Sequence, residues 1–140
     1  MHRFLHLCLA YAVITFAFGN AAALATQTFP GGTVQGEKTL SDSNLTQSGT
    51  VELSGTATFK NPLTAIVPFV NTGTVNPSLW ATAPEIIISL VQADGDLSGG
   101  YTLQATNVNH NTFTLSMRPR KRGVALRNIA ISYIAIGRHS

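Results

Sequence analysis

Cysteine is nearly absent from this chain: Cys8 is the only one in 140 residues. A lone thiol excludes an internal disulfide framework and a zinc site built on thiolates. Charge is sparse as well. Asp, Glu, Lys and Arg make up 11% of the sequence, and Leu97–Met117 contains none of them. A formal net charge of only +3 argues against a nucleic-acid binder, whose affinity comes largely from neutralised phosphates. Also missing are GxSxG, HExxH and a glycine-rich phosphate loop, patterns that mark nucleophilic hydrolases, zinc proteases and nucleotide enzymes. The chain therefore reads as a non-enzyme without a cofactor. Asp94-Gly95-Asp96 offers too few oxygens for a hard cation and reads as a β-turn. No stretch beyond the N-terminal residues has a helical period, which excludes a bundle or coiled coil.

What is present begins with an apolar leader. A short basic start, "MHR", precedes the apolar run Phe4–Phe18, and "ALA" at Ala23–Ala25 has the small-x-small pattern of a cleavage site. This reads as a secretory signal over residues 1–25, with an uncleaved anchor as the alternative. The expected mature chain, from Thr26, is secreted and has no membrane span. It carries eight Lys/Arg against six Asp/Glu, so its basic character is local. A sequon at Asn44, "NLT", fits N-glycosylation on a surface loop.

Residues 26–46 are rich in Thr, Gln, Gly, Ser and Asn and predict an extended or disordered arm. From residue 47 to 138 the texture is β. "TVELSGTATF" is two short runs broken at Ser54-Gly55, and "LTAIVPFV" holds a proline that suits an edge or bulge. "EIIISLVQA" (Glu85–Ala93) is almost continuously apolar and predicts a strand buried on both faces. "YTLQATNV" and "TFTLSM" flank Asn109-His110-Asn111 and predict a hairpin with His110 at its solvated tip. The last strand, "VALRNIAISYIAIG", has apolar residues on both faces and so needs cover on each side. His139 follows it near the end of the chain. The expected fold is all-β, a six-stranded antiparallel β-sandwich.

Taken in order, "APEIIISLVQAD", "YTLQATNVNHNTFTLSM" and "NIAISYIAIG" resemble the H-type lectin domain of snail agglutinins and discoidin C-terminal domains. Pro84, Asp94, Val108, Phe113, Ser132-Tyr133-Ile134-Ala135 and Gly137 carry the likeness, with Tyr133 where the family often has Trp. "QSGTVEL" (Gln47–Leu53) is similar to the family's opening strand. The resemblance implies a homo-trimer that binds galactose- or N-acetylgalactosamine-type glycans and could act in adhesion or agglutination. It places the family's sugar loop on Arg120 and Lys121, its sugar-contacting strand arginine on Gln104, and its early acidic loop on Ser54-Gly55-Thr56. "TGTVNPSLWATA" (Thr72–Ala83) is an insertion. Its Trp80 either stacks on a sugar or anchors the loop to the core.

The sugar loop coincides with the densest charge in the chain, "RPRKRG" (Arg118–Gly123), which holds four of the nine Lys+Arg. Arg118, Arg120 and Arg122 are forked donors and Lys121 a point charge, a set suited to sulfate, phosphate or carboxylate. Three readings remain open: a solvated basic turn, a site for an anionic glycan, and a dibasic processing site. An adhesive, self-assembling structural protein without sugar binding is the alternative for the whole domain.

Overall fold

The structure, a computed structural model, describes residues 21–41, 43–70 and 80–138. These form nine strands and no helix: β1 (Ala21–Phe29), β2 (Gly32–Ser41), β3 (Asn44–Leu53), β4 (Ala57–Thr58), β5 (Leu63–Pro68), β6 (Glu85–Asp94), β7 (Tyr101–Thr106), β8 (Thr112–Pro119) and β9 (Ala125–Arg138). All pairings are antiparallel. One sheet runs β1-β2-β3-β9-β6, with the two-residue β4 beside the start of β9; the other is β5-β8-β7. No helix among the described residues is long and apolar enough to cross a membrane.

The two sheets face each other across one apolar core. Phe113, Leu115 and Met117 of β8 and Ala65 and Val67 of β5 meet Val51, Leu53, Ile129, Ile131 and Tyr133 from the larger sheet. Phe113 links the layers, its ring centroid 5.7 Å from that of Tyr133. The expected alternation of β8 is realised: Phe113, Leu115 and Met117 are buried, and Thr114 and Ser116 lie on the other face. The predicted 109–111 hairpin turn is also present. Asn109 Oδ1 accepts from the backbone N–H groups of Asn111 and Thr112 at 2.8 and 2.9 Å.

Several expectations are corrected. Residues 26–41 are not an arm. They form most of a hairpin with the two-residue turn Pro30-Gly31, where Gly31 takes a positive φ of 109°. β2 then pairs along β3 from Gly32 to Ser41. Its scarcity of large apolar side chains hid it, because the inward positions include Gly36 and Lys38 while Thr33, Gln35, Glu37 and Thr39 face out. With this hairpin and β4 the described residues form nine strands, where six were expected. β6 is not buried on both faces: Ile86, Ile88 and Leu90 pack inward, while Ile87 and Val91 on its outer face are exposed. The outer face of β9 is open too, at Ile134 and Ile136. Strand β1 starts at Ala21, upstream of the expected cleavage point, and Phe4–Phe18 and residues 71–79 lie outside the described residues.

Lys38 is the one buried cation among the described residues, 6% exposed, on the inner face beside Gln47. Its Nζ has no hydrogen-bond partner among the described residues, and desolvation lowers its pKa below the usual lysine value. Folding therefore disfavours its proton. The unfolded chain binds more protons up to about pH 10.5, and stability rises with pH through that window. Burial has the opposite consequence at Tyr133, whose hydroxyl pKa is pushed far up; this favours the neutral phenol in the fold and lowers stability above about pH 10. Lys38→Met is expected to stabilise the protein by about 1 kcal/mol at neutral pH. It should also abolish the alkaline rise in melting temperature while leaving the fall above pH 10. An unchanged rise in the variant would contradict this assignment.

Candidate functional site

The basic segment closes β8 and leads into β9. Arg118 is the outward residue opposite Thr102 of β7, and Pro119 turns inward beneath Tyr101. The chain then bends through Arg120–Gly123, with Gly123 at φ 81°. This bend splits the four cations between two sides. Arg120 and Lys121 turn toward the β6–β7 connection. The Arg120 N–H donates to Gly100 O at 3.0 Å, and its Nε reaches Thr102 Oγ1 at 3.5 Å. Lys121 Nζ lies 3.5 Å from Asp96 Oδ2. The approach is close enough that a Cβ on Gly99 would sit 2.6 Å from that of Lys121. The glycine at position 99 is therefore required by the knot packed on it. Asp96 also accepts from the Ser98 N–H at 2.9 Å. Hydrogen bonding from Ser98, and secondarily the charge of Lys121, holds its pKa below the usual carboxylate value.

On this side the free edges of β6 and β7 bound a groove of about 490 Å³. Its floor is Ile88, Leu90, Tyr101 and Leu103, all partly buried against the core; its rim is Ser89, Thr102, Gln104 and Arg120. Among the described residues β6 pairs only with β9 and β7 only with β8, so each strand has its other edge at the groove. The site thus joins an apolar floor carrying a phenol ring to an amide, two hydroxyls and a guanidinium. Polar groups that fix hydroxyls around a surface that takes C–H faces are what a sugar requires.

Arg118 and Arg122 turn the other way. Their guanidinium carbons lie 4.6 and 4.9 Å from the ring centroid of Phe59. Phe59 and Lys60 sit at the tip of a tight turn, closed by Thr58 N–H donating to Asn61 O at 3.0 Å and Asn61 N–H donating to Thr58 Oγ1 at 3.0 Å. A second groove, about 540 Å³, runs past Phe59, Lys60, Asn61 and Arg122. The basic segment itself carries no aromatic ring. Phe59 supplies one from 59 residues upstream, through the pairing of β4 with Ala125 and Leu126. The only available signal was the "TFKN" turn preceding Pro62.

The structure therefore gathers Gln104 and Arg120 in one groove and sets Arg122 at the other, with Arg118 beside it on the Phe59 ring and Lys121 between them tied to Asp96. It does not gather the rest. Gly55 sits in the turn after β3 at φ 110°, where a Cβ would meet Leu63, and it lines neither groove. Trp80 is a correction to the stacking reading. It is buried, packs edge-on against Phe69 at 5.6 Å, and lies against Gly137 near the far end of β9. Twelve residues of extended strand separate Gly137 from Ala125, roughly 40 Å, so its indole is a loop anchor remote from the basic segment. Asn44 is exposed at the same far end, opposite Arg138. Asp94 accepts from Asn128 Nδ2 at 2.6 Å and takes no part in either groove.

No family model matches the chain, and no curated protein matches it.

Proposed function

We propose that this protein is a secreted carbohydrate-binding protein, a sandwich of the H-type lectin kind. Its sugar site is the groove between β6 and β7. The carrying observation is that this groove unites Gln104 and Arg120, two of the positions at which the resemblance puts sugar contacts, over an apolar floor that includes Tyr101. Gln104 and the strand edges suit the hydroxyls of a galactose- or N-acetylgalactosamine-type sugar. Arg120 adds a preference for a sugar bearing an acidic group. A glycan microarray with the full chain tests this directly. Signal on galactose-type structures, strengthened by sulfate or sialic acid, is the expected result; an empty array would leave the non-lectin alternative, a self-assembling adhesive protein.

Self-association belongs to both readings and has its own support. Ile87 and Ile134 stand directly opposite each other on β6 and β9, and with Val91 and Ile136 they are 42–63% exposed. Four branched apolar side chains open on one sheet face favour burial against a second subunit, about 2 kcal/mol for each side chain fully covered. The assembly is proposed to be a homo-trimer, which makes several weak sugar sites act together. Sedimentation should give a trimer for the native chain and a folded monomer for Ile87→Ser/Ile134→Ser. A monomeric native chain would refute the assembly.

A further inference from the structure

We propose that Arg118 and Arg122, gathered on Phe59 and joined by Lys60, form a second site, one for sulfate groups on a glycan. It is distinct from the groove of Gln104 and Arg120. The proposal rests on the lectin reading for the saccharide and on separate residues for the anion.

Three features carry it. The first is uncompensated charge. Lys60 and the four cations of the basic segment occupy one end of the sheets, and among the described residues the only ion pair there is Lys121–Asp96. Two guanidiniums drawn to one ring repel each other, and no described carboxylate pairs with them; an arriving anion would relieve that repulsion. The second is order. A guanidinium over an aromatic face gains a cation–π attraction and loses freedom there, before any ligand arrives. A ring that meets the face of a guanidinium leaves the in-plane N–H donors to other partners. Neither Arg118 nor Arg122 spends a side-chain donor on another described residue. Fixed forks with free donors match the paired oxygens of a sulfate. The third is placement. The turn Thr58–Asn61 sets Lys60 beside the ring, and its groove holds the Asn61 side chain and Gly123, neutral groups suited to the sugar carrying the sulfate.

The same geometry disfavours a nucleic acid. Single-stranded bases need open aromatic faces on which to stack, and the one ring at this site is engaged by two guanidiniums. The splitting of the basic segment also defines the ligand's form. With Arg120 at the β6–β7 groove and Arg118 and Arg122 gathered on Phe59, a chain bearing more than one sulfate engages both sides of the same bend.

The test is titration calorimetry of the full chain with heparin, chemically desulfated heparin and inorganic polyphosphate, in about 0.15 M salt. Native protein should bind heparin at least about tenfold more tightly than either comparison polymer. Arg118→Gln/Arg122→Gln should lose about tenfold or more in heparin affinity and show a shallower salt dependence. Phe59→Leu keeps every charge yet should lose about threefold, because only the ordering is gone. Arg138→Gln, at the far end, should change little. The proposal is overturned if Phe59→Leu is silent, if Arg138→Gln costs as much as one of the loop arginines, or if polyphosphate binds as well as heparin. Gln104→Ala separates the two sites: it should weaken a neutral sugar and largely spare heparin. Heparin binding with no neutral-sugar binding at all would sink the lectin groove and leave the anion site standing.

Discussion

Gln47→Ala should cost about 4 kcal/mol, the largest single loss of stability expected from a polar residue in this protein. Gln47 is fully buried on the inner face of β3. Its amide treats Val70 as a neighbouring strand would. Nε2 donates to Val70 O at 2.8 Å, while Oε1 accepts from the Val70 N–H at 3.0 Å. Oε1 accepts a second time, from the Tyr133 hydroxyl at 3.1 Å. One side chain of the larger sheet thereby satisfies both backbone groups of the chain leaving β5. The third partner fits only because Gly36 lacks a Cβ, which would stand 2.5 Å from the Tyr133 oxygen. Truncation leaves a buried N–H, C=O and O–H without partners and opens a cavity beside them. For a domain whose total stability is about 5–15 kcal/mol, that is a large share, and the melting temperature should fall by on the order of 15 °C. Tyr133→Phe removes one donor and leaves Oε1 its other partner, so it should cost only about 1 kcal/mol. Urea denaturation of the two variants checks the account. A loss below 1 kcal/mol for Gln47→Ala, or equal losses for both, would contradict it.

The largest functional effect should follow substitution of the groove between β6 and β7. Arg120 and Gln104 have different roles there, so their variants should differ in kind. Arg120→Gln removes the charge and the fork. Binding of a sulfated or sialylated galactoside should fall about 10- to 100-fold, while its neutral parent loses little. Gln104→Ala removes donors and an acceptor for hydroxyls, so the neutral galactoside and its sulfated or sialylated form should weaken alike at this groove, by about tenfold. The double variant should bind neither measurably. Both residues sit at exposed positions: Gln104 is opposite Ser116, and Arg120 is held mainly through its backbone bond to Gly100. The fold should therefore survive both changes, and calorimetry can read binding without a confounding loss of structure. Equal losses on neutral and acidic ligands for Arg120→Gln would remove Arg120 from the site.

The strands from Thr50 onward were legible because their period of two is strong. Phe113, Leu115 and Met117 alternate with Thr and Ser, and the Asn-His-Asn triplet between the strands has the chemistry of a tight turn. The β1-β2 hairpin was not legible, since pairing with β3 rather than a rich apolar face defines it, and sequence shows side chains better than ladders. The apolar runs of β6 and β9 were read as buried on both faces because composition cannot distinguish a covered face from an open one. The site was legible in part. The basic segment's position stood out by charge alone. Its division did not, since adjacent residues of a bend diverge according to backbone geometry: Arg120 and Lys121 go to the β6–β7 connection, Arg118 and Arg122 to Phe59. Phe59 was invisible for a related reason, as its approach depends on the two-residue pairing of β4 with β9.

An amide-resolved NMR titration of the full chain with N-acetylgalactosamine and its sulfated form tests the central claim most directly. The account predicts that both ligands shift resonances of Ile88–Leu90 and Tyr101–Gln104, and that the sulfated one also moves Arg120. Shifts confined to other surfaces, or none at saturating sugar, would contradict a carbohydrate site between β6 and β7.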